Sequence, residues 1–227
     1  VAWSQDPSVA DEDRQYLERL IHSKKAEDLK SLEEIFYQEL DFGTAGLRGI
    51  VGIGSNRMNI YNIKKATHAL SLTIKLHFKN EDRKVVISFD SRNSSAEFAK
   101  SASKVLAAHG IKTILMPRPM ATPILSFAVR ELKCCAGIMV TASHNPKNYN
   151  GYKVYWSDGA QITSPIDQEI IKHYNLVKSF SEIPYFNQSN SHLIELANES
   201  LFNNYYENLV QCTLRLDHCL KEGKNLK

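Results

Sequence analysis

Ser143, directly after the apolar run Cys134–Val140, is the residue best placed to do chemistry. It lies in the loop Thr141-Ala142-Ser143-His144-Asn145-Pro146, with His144 beside it and Lys153 ten residues on. A serine hydroxyl is a weak nucleophile until a base or a charge activates it, and both are near in sequence. The same six residues also suit a plain Ser/Asn/Pro turn joining two strands. The serine is not set in G-x-S-x-G, which argues against a hydrolase elbow. A second candidate is Phe42-Gly43-Thr44-Ala45-Gly46-Leu47-Arg48-Gly49. Five of the ten glycines fall between Gly43 and Gly54, so backbone amides can approach an anion closely, and Arg48 adds a planar two-pronged donor. No Gly-Lys-Ser/Thr follows, so this is not a nucleotide P-loop, and a simple glycine-rich connection is the alternative. Arg92, in Asp90-Ser91-Arg92, either meets an anion or pairs with an acid, the second being favoured.

The elements that must carry these loops read as α/β. Residues 11–40 have the apolar spacing of one or two amphipathic helices, and Asn59–Phe78 that of another. Lys84–Asp90 is a β-branched strand. Ser94–His109 is a helix closed by Gly110, Ile111–Met116 a strand, and Thr122 to about Leu132 a helix with proline in its first turn. Cys134–Val140 is nearly all apolar, as a strand buried on both faces should be. Gly151–Trp156 is a further strand, Pro165–Lys178 a helix, residues 180–191 a loop, and His192–Leu220 one or two helices. Strands alternating with helices of this length give a mostly parallel mixed sheet flanked by helices. The expected division is an α/β domain over 1–180 and a helical segment, 181–227, leading into a second domain.

Composition narrows the function. The 227 residues carry 28 basic and 25 acidic side chains, a net charge of +3, and 43% hydrophobic residues. That excludes disorder and coiled coil and gives no cationic field for nucleic acid. No apolar run approaches the ~20 residues of a membrane helix. Cys134, Cys135, Cys212 and Cys219 make no zinc spacing, and the polar start Val1–Asp13 is not a secretory signal, so reduced thiols in the cytoplasm are expected. Asp11-Glu12-Asp13-Arg14 opens a helix, where acids complement the dipole, and is not read as a metal loop. The tyrosines 149, 152 and 155 and Trp156 surround a strand and read as packing, not as a base-stacking platform.

Taken together, FGTAGLRG at 42–49, TASHNP at 141–146 and NGYK at 150–153 resemble the α-D-phosphohexomutase superfamily. The longer string TASHNPKNYNGYKVYWSDGAQITSP is similar to the phosphoglucomutase type two and phosphopentomutase branch, and Trp3 with Asp6-Pro7 also fits it. The resemblance implies a phosphotransferase that interconverts sugar 1-phosphate and 6-phosphate, or pentose 1- and 5-phosphate, through a phosphoserine at Ser143 and a bisphosphate intermediate. It implies Lys153 and His144 in proton transfer. It implies Arg48, Thr44, Gly46, Asn145 and Arg92 as substrate- or phosphate-binding groups. It implies Mg²⁺ bound in part through the phosphate on Ser143, and glucose 1,6-bisphosphate or a similar sugar bisphosphate as activator. Small sugar phosphates are the expected partners, with no nucleic acid and no membrane. Members of this family carry a D-G-D-x-D-R metal loop and further domains that are not found here, so the chain is expected to be an N-terminal portion with little turnover of its own. A non-catalytic, sugar-phosphate-binding short form is the alternative.

Overall fold

The computed structural model describes residues 2–43, 46–79, 82–184 and 186–225. Thr44 therefore lies outside the described residues. Two compact units are present, residues 1–196 and residues 197–227.

In the larger unit a six-stranded sheet is built from β1 (Leu47–Ile50), β2 (Lys84–Phe89), β3 (Lys112–Leu115), β4 (Ala136–Val140), β5 (Tyr149–Trp156) and β6 (Ile194–Leu196). Their order is β1-β5-β4-β2-β3-β6. β2, β3, β4 and β6 run parallel, whereas β5 is antiparallel to both β4 and β1. The sheet is thus mixed, parallel at its centre, as the strand–helix alternation requires. Two strands differ from the sequence reading. β1 lies inside the glycine-rich segment and exists because β5 offers it a partner. β6 lies past residue 180, in a stretch read as loop and helix, and extends the sheet by pairing with β3.

The helices follow the apolar periodicity. α1 (Ala2–Gln5), α2 (Asp11–His22) and α3 (Ala26–Phe36) precede the sheet, and the acidic residues 11–13 do occupy the first turn of α2. Arg14 pairs there with Asp11. Trp3 meets the rings of Phe36, Tyr61 and Phe180 edge-on at 5.7, 5.3 and 4.9 Å, which fastens the N-terminal helices to the domain. α4 (Ile60–His77) is capped by the Asn59 side chain, which accepts from the Asn62 amide. α5 (Ser95–Ala108) and α6 (Thr122–Glu131) are the crossovers around β3, and α7 (Ile166–Leu176) packs on α4. β4 is buried at every position, the reason its sequence is continuously apolar. In the smaller unit α8 (Glu199–Gln211) is capped by Asn198, and α9 (Leu216–Gly223) follows. No helix among the described residues is long and apolar enough to cross a membrane.

Between α4 and the end of α5, three basic side chains stand in a row. Lys75 Nζ lies 3.2 Å from His109 Nδ1, and His109 Nε2 lies 3.0 Å from His68 Nδ1. Lys75 can only donate, so His109 accepts at Nδ1 and donates from Nε2 to His68. Burial, then Lys75 and His68, push the His109 pKa from 6.5 down to about 3. The unfolded chain therefore binds a proton here that the folded chain refuses. Stability present above about pH 6.5 should be lost progressively toward pH 3. In urea melts across that range, His109→Gln is expected to show a shallower fall in stability with pH than the parent chain.

Candidate active site

The loops read as chemical from sequence lie at one end of the sheet. β4 ends at Val140 and β2 at Phe89; β5, running the other way, begins at Tyr149. Ligand sites gather at the carboxyl ends of parallel strands.

Ser143 has φ +58°, a left-handed conformation uncommon for a residue with a Cβ. The loop holds it there by hydrogen bonds on both sides. Its amide donates to Thr141 Oγ1 at 3.0 Å, and its carbonyl accepts from Arg92 Nη2 at 3.0 Å. Thr141 Oγ1 in turn donates to Asp90 Oδ2 at 2.6 Å. Asp90 Oδ1 accepts from the Arg92 amide and from Ser95 Oγ, and Asn150 Nδ2 donates to that same hydroxyl. Ser143 itself is exposed, and its Oγ lies 3.4 Å from His144 Nδ1, a long contact.

Arg92 departs from its expected role toward phosphate. Its Nε donates to Asp90 Oδ2, Nη1 to the carbonyls of Pro146 and Tyr149, and Nη2 to those of Ser143 and Asn145. A guanidinium has five N–H groups, and all five are engaged by the protein. Arg92 is therefore the clasp of the serine loop, with no donor left for an anion. The pairing with an acid favoured from sequence is present, through Asp90.

Arg48 and Lys153 meet on a different strand pair. Arg48 stands opposite Gly151 in the antiparallel register, and Lys153 two residues further along shares that face. The reverse face carries Leu47 and Tyr152, both buried. Two glycines let these backbones close. A Cβ at Gly46, where φ is +93°, would sit 1.9 Å from the Tyr152 carbonyl oxygen. One at Gly151 would sit 2.6 Å from that of Thr141 and 2.9 Å from that of Leu47. Gly46 thus shapes the approach of β1 to β5, a backbone role. Desolvation, and then the Arg48 charge, lower the Lys153 pKa. Its neutral form is populated at lower pH than that of an ordinary lysine.

A cavity of about 620 Å³ opens beside the serine loop, lined by Ser143, Asn145, Lys147, Asp90, Arg92 and Met139 among others. Arg48, Lys153 and His144 are not among its lining residues. Asn145 faces it, and the side-chain oxygen of Asn145 is buried without a hydrogen-bond partner among the described residues. Asp90, Thr141, Asn150 and Lys147 were not singled out from sequence as site residues. Thr141 and Asn150 lie within the TASHNP and NGYK strings, Asp90 stands two residues before Arg92, and Lys147 directly follows TASHNP, but the part each plays shows only in the structure.

The phosphoglucomutase/phosphomannomutase alpha/beta/alpha domain I family model matches residues 39–179. The chain belongs to that family. A phosphoglucomutase of Staphylococcus haemolyticus (strain JCSC1435) is 46% identical over 143 residues, 63% of this chain and 26% of its own length. A phosphoglucomutase of Staphylococcus aureus (strain bovine RF122 / ET3-1) is 50% identical over 129 residues, 57% of this chain and 23% of its own. The chain thus spans about a quarter of the length of these curated relatives. The crystal structure of a phosphoglucomutase/phosphomannomutase family protein from Burkholderia thailandensis superposes with a TM-score of 0.57 and 21% identity, covering 75% of this chain and 35% of that one, a likeness in fold. The matched segment contains β1 to β5 and the whole of the Ser143, Arg48 and Lys153 region.

Two measurements probe this phosphohexomutase-family site. Arg92→Lys cannot satisfy four carbonyls and a carboxylate from one ammonium. Amide hydrogen exchange of peptides spanning 141–150 should accelerate about tenfold or more while α4 stays protected. Lys153 should acylate at lower pH than exposed lysines when followed by mass spectrometry, and Arg48→Ala should move its titration part of the way back up.

Proposed function

We propose that this chain supplies the phosphoserine part of a phosphoglucomutase-type isomerisation of sugar 1-phosphate and sugar 6-phosphate, or of the pentose 1- and 5-phosphates. The observation that carries the reading is Ser143, exposed at the carboxyl end of β4 and fixed in a left-handed conformation by the Thr141–Asp90–Arg92 clasp. A nucleophile held by its own backbone contacts needs little reorganisation to meet an incoming group.

Phosphorylated Ser143 donates its phosphoryl group to a sugar hydroxyl. The Oγ–P bond breaks as the new O–P bond forms on the sugar, and the hydroxyl proton passes to neutral Lys153 or to His144. The sugar bisphosphate so formed turns over and returns its other phosphoryl group to Oγ, with the proton travelling back. Arg48 binds phosphate or sugar oxygens from the β1 side, and Asn145 belongs to the polar lining; Thr44, outside the described residues, is taken as a phosphate-binding group on the family resemblance alone. Glucose 1,6-bisphosphate or a related sugar bisphosphate is the activator that loads Ser143.

Family membership implies Mg²⁺, which when bound offsets charge on the transferring group. The residues described do not form a set for it. No three of His, Cys, Asp and Glu stand together, and both Asp90 oxygens already accept hydrogen bonds. The phosphate oxygens on Ser143 would be this chain's own contribution to the ion. Residues 1–180, with β6 (Ile194–Leu196) added to their sheet, are read as the catalytic-serine domain and the residues beyond as leading toward a second, in a protein of the cytoplasm.

A second reading is binding of sugar phosphates without turnover, for which the cavity beside Ser143 is the supporting observation. Incubation with glucose 1,6-bisphosphate and Mg²⁺ tests the first. Intact-mass spectra should show one added phosphoryl group, absent from Ser143→Ala. Heat of sugar-phosphate binding in calorimetry with no such adduct would favour the second.

A further inference from the structure

We propose that Lys147 is the cation that receives the phosphate carried on Ser143. This rests on the phosphoserine reading above.

A phosphoserine brings close to two negative charges and three acceptor oxygens, which need donors nearby. The groups of the serine loop itself are mostly engaged. The Ser143 amide is bonded to Thr141 Oγ1, and the Asn145 amide to the Ala142 carbonyl. Arg92, the nearest guanidinium, has all five N–H groups occupied and its charge offset by Asp90. Of the three charged residues lining the cavity, Asp90 and Arg92 cancel, and Lys147 leaves a net +1. Lys147 is exposed, shares the cavity wall with Ser143 and Asn145, and has no hydrogen bond or ion pair among the described residues. The remaining charged or titratable groups near the loop are His144, whose ring lies beside Oγ, and the Arg48–Lys153 pair on the β1–β5 face. Neither of those lines this cavity. A flexible ammonium is well suited to follow a phosphate that leaves Oγ and returns, because it binds as a point charge without fixed geometry.

The test uses the full chain with phosphoserine installed genetically at position 143, so its outcome does not depend on the chain phosphorylating itself. The second ionisation of the phosphate is followed by phosphorus NMR at low ionic strength. Lys147→Gln should raise the midpoint by about half a pH unit, as expected for loss of one charge from the same cavity wall at a wet surface. Lys147→Arg should stay near the parent value. Lys84→Gln, at the amino end of β2 and so at the opposite end of the sheet from the loop, controls for net charge and should leave the midpoint unchanged. A midpoint in Lys147→Gln equal to the parent's, or one matched by Lys84→Gln, would overturn the assignment.

Discussion

A loop that leaves a fully buried parallel strand must find partners for its backbone, and here one guanidinium supplies them. The carbonyls of Ser143, Asn145, Pro146 and Tyr149 all point to Arg92. Asp90 Oδ2 accepts both from Arg92 Nε and from Thr141 Oγ1. These bonds are part-buried or exposed, where each contributes roughly 0.5–1.5 kcal/mol, so it is their number on one guanidinium that fixes the loop. The conformation of Ser143 follows from it. So does the part Arg92 plays: its donors serve the fold, and the proposed chemistry is left to other side chains.

The mixed sheet determines which side chains those are. β5 turns back antiparallel beside β4, and β1 lies antiparallel to β5. That arrangement carries Arg48 and Lys153 onto one face next to the loop after β4. It depends on backbones so close that Gly46 and Gly151 admit no Cβ. Burial, and then the repulsion of the Arg48 charge, lower the Lys153 pKa. The positive character of the site is thus local, in a chain whose overall charge is only +3.

The central elements were legible because their sequences carry one dominant signal. Lys84–Phe89 and Ala136–Val140 are apolar on both faces, and α4, α5 and α6 show helical spacing with recognisable ends. β1 and β6 were not legible. Each is three or four residues long, with mostly exposed or half-buried positions, and is a strand only because a neighbour offers hydrogen bonds.

Sequence by itself determined the family, the serine loop and the basic residues around it, since these are properties of residue type and order. The tertiary structure alone decided what each basic residue does. Arg92 follows β2 and Lys147 follows the serine loop, two basic residues that residue type alone does not distinguish, yet one has every donor engaged and the other none among the described residues. That difference lies in the partners, drawn from positions up to 57 residues from Arg92, and no local pattern records it.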